Sequence, residues 1–162
     1  MIYSDQSSGL DLGVACLLHV PMGFEVNVSK ELKLVYTKYF GFVKRQETEQ
    51  ALFATLEHPE YLPGMSELTD LSMVEGTELS SETIGDHTSQ VAAYYEMQAK
   101  FTAHYVFAPT DLGFELAQAH RKLAQQSIDN LTLNIFRNEA ETLKTMGRSE
   151  ATIAELLKNF SR

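Results

Sequence analysis

The sequence predicts an α/β fold: a mixed, mostly parallel five-stranded sheet that starts with an antiparallel hairpin and is covered by about four or five helices. Three observations carry this. Phe24, Val26 and Val28 alternate with Glu25 and Asn27, the period of two expected of a strand with one buried face. A second run rich in β-branched and aromatic residues, Leu32 to Phe40, follows after a short turn, so the two read as a hairpin. From there to the end, helical spacing and short strand-like runs take turns, the order that gives parallel neighbours joined by right-handed crossovers.

Taken in order, Ser29-Lys30-Glu31 turns the hairpin and Gly41 ends its second strand. Arg45 to His58 is the first helix, with Ala51, Leu52, Leu56 and Phe53 at helical spacing and Glu47, Glu49, Gln50 and Glu57 left for water. Pro59 stops it, and residues 61–65 form a tight connection. Leu68 to Ser72 is a short third strand. A second helix is expected from Glu82 to Ala99, its buried stripe Ile84, Val91, Ala92 and Tyr95. Thr102 to Ala108 supplies a fourth strand. Pro109-Thr110-Asp111 opens a third helix with Leu112, Leu116, Ala119 and Leu123 inward. Asn130 to Phe136 is the fifth strand. Asn138 or its neighbour caps a fourth helix bearing Ala140, Leu143 and Met146, and Gly147 ends it. A last helix begins at Ser149, with Ile153, Leu156, Leu157 and Phe160 facing in.

Length and composition set the scale. The 162 residues, 44% of them hydrophobic, suit one domain with one core. Residues 1–21 do not fit the pattern that follows. They read as an N-terminal extension: either Met22 is the true start, or the segment is an arm packed on the body, which occupies residues 22–162. The stretch from Gly9 to Val20 has no positive region ahead of it and is far too short for a membrane span, so a cytoplasmic location is expected.

Charge and residue chemistry exclude several function classes. With 13 Lys and Arg against 22 Asp and Glu, the formal charge of -9 repels polyanions, and no nucleic-acid partner is expected. Cys16 is the only cysteine, which rules out an internal disulfide and a thiolate cluster within one chain. The five histidines, His19, His58, His87, His104 and His120, have no short ligand spacing, so no metal is expected. His104, on a strand, and His120, beside a helical stripe, read as neutral hydrogen-bonded core residues. No nucleophile elbow, dinucleotide fingerprint or phosphate loop occurs, so no catalytic residue, no cofactor and no enzyme activity is predicted.

Two motifs carry a family resemblance. His58-Pro59-Glu60-Tyr61-Leu62-Pro63-Gly64-Met65 with Leu68 and Asp70-Leu71-Ser72, and Ala108-Pro109-Thr110-Asp111-Leu112-Gly113-Phe114, resemble uncharacterised bacterial domains similar to anti-sigma-factor antagonists, the SpoIIAA-like or STAS family. The resemblance spans roughly Phe24 to Met146 and implies a single STAS-like domain with an extra C-terminal helix. It also implies a non-enzymatic, regulatory role through protein contact. In that family's phosphoswitches a serine at the start of the second helix is phosphorylated. The corresponding residues here are Ser80 and Ser81, with Leu79 before them and Glu82 after, a setting that also suits plain helix caps. Ser72 belongs to the same candidate interaction loop. An exposed Tyr94 beside Tyr95 would suit a homodimer contact. The rival class is a small-ligand binder or cryptic enzyme that uses a crevice at the strand C-terminal ends, near Asp70, Ser72, Pro109 and Asp111.

Overall fold

The computed structural model describes residues 23–79, 102–127 and 131–160. Its five strands are β1 (Gly23–Ser29), β2 (Leu34–Val43), β3 (Ser66–Thr77), β4 (Thr102–Phe107) and β5 (Leu131–Phe136), arranged in that order in one sheet. β1 and β2 are antiparallel and every later pair is parallel. The mixed α/β sheet opening on a hairpin is therefore present as expected. Four helices occur among the described residues: α1 (Arg45–Leu56), α2 (Asp111–Ser127), α3 (Glu139–Thr145) and α4 (Ile153–Leu157).

The helices lie on both faces. α1 packs over β1 and β2, and α2 over β3 and β5, on one side of the sheet. There Val106, Ala108, Leu133 and Ala117 of α2 form a core with Leu52, Leu71 and Phe114. α3 and α4 cover the other side, where Leu143, Ile153 and Leu156 bury Leu34, Tyr36 and Leu68. At about 25 cal/mol per Å2, each such fully enclosed leucine contributes roughly 1.5–3 kcal/mol.

Several boundaries differ from the sequence reading, each for an identifiable reason. Gly41 does not end β2. It sits inside the strand at φ 70, a left-handed conformation that glycine adopts without a Cβ clash, and the strand runs on to Val43. β2 begins at Leu34 rather than Leu32, because Ser29 Oγ accepts the Leu32 N–H (3.2 Å) and holds that residue in the turn. β3 is longer than Leu68 to Ser72 at both ends, since β2 offers it a ladder throughout. Lys38 pairs with Asp70 but Phe40 with Met73, and Gly41 with Val74 but Phe42 with Gly76. β3 thus carries one extra residue at each step, two bulges that interrupt its alternation.

The helices shift as well. On α1 the buried residues are Thr48, Ala51 and Thr55, while Phe53 is 59% exposed. Both threonines can be buried because their hydroxyls donate along the helix, to the carbonyls of Arg45 (2.7 Å) and Ala51 (3.0 Å). On α2 the most enclosed positions are Gly113 and Ala117, one residue round from the expected Leu112 and Leu116. Small residues there let the helix approach the sheet, and a Cβ on Gly113 would lie 3.2 Å from the Leu71 carbonyl oxygen. Asn138 caps α3 through the Glu141 N–H (3.0 Å), and Gly147 ends the turn at φ 72. The last helix starts at Ile153, not Ser149, with Thr152 accepting the Glu155 N–H (3.1 Å). The expected second helix and the N-terminal extension lie outside the described residues.

Candidate functional site

The alternation of β2 and the bulges of β3 determine which side chains meet beneath α1 and α2. Tyr39 and Val43 of β2 face that side, as do His104 and Val106 of β4. On β3, plain alternation would send Leu71 and Val74 to opposite faces, because they are three residues apart. The extra residue between Asp70 and Met73 turns both to the same face. With Thr48 of α1 and Leu116, Ala117 and His120 of α2, these residues line a cavity of about 130 Å3, bounded also by Thr69 and Leu79.

The wall is mainly apolar, and its polar side chains are Tyr39, Thr48, Thr69, His104 and His120. Thr69 Oγ1 and His104 Nε2 are 2.7 Å apart, a hydrogen bond between neighbouring strands. His120 approaches His104 edge-on, with ring centroids 6.2 Å apart. Removal from water pushes the Tyr39 phenol above its ordinary range, reinforced by Glu67 and Glu47, so its hydroxyl stays protonated. Among the described residues no cluster of three or more His, Cys, Asp or Glu could hold a metal.

Asp70 is on the other side of the sheet, under different constraints. It is only 4% exposed. Its Oδ2 accepts the Tyr36 hydroxyl (2.8 Å), its Oδ1 accepts the Ser72 N–H (2.8 Å), and Lys38 Nζ stands 3.9 Å away. The Ser72 contact clasps the first bulge, so the carboxylate shapes the strand that forms the cavity floor. Burial, followed by the Asp70 charge and hydrogen bond, drives the Tyr36 phenol far above its ordinary value. Asp111 stands in the first turn of α2, exposed, its carboxylate accepting from Arg137 Nη1 (2.8 Å). The same Arg137 lies 4.3 Å over the Phe114 ring. Asp70 and Asp111 thus take separate partners, and neither they nor Ser72 and Pro109 are among the lining residues of the cavity. Ser80, Ser81 and Tyr94 lie outside the described residues.

No family model matches the chain, and no curated protein matches its sequence. A solved structure does match: an uncharacterized protein from the DUF3478 family with a SpoIIAA-like fold, from Shewanella loihica PV-4. The TM-score is 0.50 at 12% identity, covering 87% of this chain and 98% of that one. The fold is SpoIIAA-like. At that identity the likeness is one of fold alone, and the site must be read from this SpoIIAA-like chain's own residues. No helix among the described residues is long and apolar enough to cross a membrane.

Tyr39, Thr69, His104 and His120 were not singled out as a site by the sequence. A faint signal existed, since His104 shares its face with Val106, two residues on, and His120 follows Leu116 by four on α2. Placing the two histidines together required knowing that α2 crosses back over β4.

Proposed function

We propose that this SpoIIAA-like chain is a non-catalytic binding domain whose ligand is a small, mainly apolar molecule held between α1, α2 and the sheet. The cavity of about 130 Å3 is the observation that supports this. Apolar cavities of about 150 Å3 in other proteins stay dry and accept ring-sized ligands, because the bound molecule restores contacts that empty space forfeits. The two acidic residues of the expected crevice already have structural partners. Asp70 holds a bulge, and Asp111 pairs with Arg137. The test is thermal unfolding against a panel of ring-sized apolar compounds, with Val74→Phe as the control that fills the cavity. A ligand at 100 times its Kd should add about 2.7 kcal/mol and raise the Tm of the unaltered chain only. No shift with any compound, or equal shifts in Val74→Phe, would count against the cavity as a binding site.

A second reading, regulatory protein contact, draws on a different observation. Phe42 and Met73 are 41% and 47% exposed on the sheet face opposite the cavity, beyond the reach of α3 and α4. Two large apolar side chains on neighbouring strands suit the centre of a protein interface. Sedimentation equilibrium of the unaltered chain and of a Phe42→Ser, Met73→Ser variant tests the homodimer form of this reading. A unaltered chain that is monomeric throughout would leave only a foreign partner.

A further inference from the structure

Four of the polar side chains that line the cavity are already engaged. The Thr48 hydroxyl donates to the Arg45 carbonyl, Thr69 and His104 hydrogen-bond each other at 2.7 Å, and His120 packs edge-on against His104 and has a further partner. Tyr39 differs. It is the residue of β2 that faces the first bulge, between Lys38, which pairs with Asp70, and Phe40, which pairs with Met73. Its phenol is withdrawn from water, yet no hydrogen bond to a described residue holds the hydroxyl. Tyr36 is the contrast, since its buried hydroxyl has Asp70 at 2.8 Å. Among the described residues the fully enclosed side-chain polar atom without a hydrogen bond is Arg148 Nε, so the Tyr39 oxygen keeps some open surface, and the cavity that Tyr39 lines is where it opens. A hydroxyl taken out of water and left unbonded is costly, and a guest that bonds it recovers that cost.

We propose that the preferred ligand is a neutral, ring-sized molecule with one hydrogen-bond acceptor, a carbonyl or ether oxygen, which takes the Tyr39 hydroxyl hydrogen while the ring lies against Val74, Val106 and Leu116. This rests on the cavity being the binding site and adds the class of molecule that fills it. The protonated phenol has one hydrogen to give, so it selects an acceptor and needs no charge to do so. Glu67 and Glu47 act on the same phenol through their negative charge, and an anionic head placed there would meet the same repulsion. The volume limits the body to about one ring, by comparison with the 150 Å3 cavities that hold benzene.

The experiment is ligand-observed NMR of the full chain and of Tyr39→Phe with cyclohexanone and methylenecyclohexane, rings of one shape in which an oxygen replaces a CH2 group. Tyr39→Phe should weaken cyclohexanone about three- to tenfold, the ratio expected of one neutral hydrogen bond, and leave methylenecyclohexane unchanged. Comparing the two probes across the two chains isolates the bond from the greater water affinity of the ketone. Methylenecyclohexane binding to Tyr39→Phe also shows that variant to be folded with its cavity intact. Equal weakening of both probes would mean that Tyr39 acts through shape alone, and would overturn the acceptor preference while leaving the cavity reading standing. Cyclohexanone binding that is indifferent to Tyr39→Phe, or methylenecyclohexane binding with none by cyclohexanone, would overturn it too. If neither probe binds, the cavity reading fails and this proposal fails with it.

Discussion

Replacing Asp70 by alanine should be among the most damaging single changes on the sheet, although the residue touches no cavity. The carboxylate accepts two hydrogen bonds at 2.8 Å and is 4% exposed. Each bond to a charged acceptor is worth about 1.5–3 kcal/mol, so losing both costs roughly 3–5 kcal/mol once partial relaxation and the half-exposed Lys38 are allowed for. Part of that cost is the Tyr36 hydroxyl, left buried without its acceptor. Tyr36→Phe alone should cost about 2 kcal/mol, and adding it to Asp70→Ala should return about 1 kcal/mol instead of costing more. Urea unfolding followed by circular dichroism measures all three variants. With a slope of about 2 kcal/mol per M, the Asp70→Ala midpoint falls by roughly 2 M. A loss under about 1 kcal/mol, or strictly additive losses in the double variant, would refute the view that this pair is a buried, coupled clasp on the bulge.

Other outcomes follow from the same contacts. Gly113→Ala should cost about 1–3 kcal/mol, because its Cβ would press on Leu71 and Thr110 at 3.0–3.2 Å, whereas Gly147→Ala has open space and should lose only about 1 kcal/mol from its φ of 72. Chemical denaturation of the pair separates crowding from backbone strain. Thr152→Ala should lose about 1 kcal/mol and Ser149→Ala almost none, which locates the cap of α4 by the same assay. At high pH the sign is fixed by the two raised phenols: the stability they contribute is fully present below the ordinary tyrosine value of 10.0 and is lost as pH rises beyond it, because the unfolded chain ionises first. The stability difference between the unaltered chain and Tyr39→Phe should therefore fall between pH 9 and 11, by up to about 1.4 kcal/mol per pH unit. A difference that stays flat would mean that Tyr39 ionises as readily in the folded chain as in the unfolded one.

The sequence by itself determined the order and type of the elements, because the period of a strand or helix and the chemistry of a cap are local. Phe24 to Val28 alternates whatever lies across from it, and Asn138 stops an unpaired N–H three residues away. Local pattern also carried the hairpin and the closing glycine at 147. It could not carry what depends on a partner. Gly41 looks like a terminator and becomes an interior residue only because β3 pairs on past it. Thr48 and Thr55 look exposed and are buried because their hydroxyls find carbonyls on their own helix. The bulge between Asp70 and Met73 reverses the sense of β3 as far as Val74, where the second bulge begins, and nothing near it in sequence announces that Tyr36 and Lys38 converge on Asp70 from β2. The cavity follows from that reversal. Its residues come from five elements, and Thr69, His104 and His120 meet only when three of those elements are packed, so tertiary structure alone decided that a site exists there.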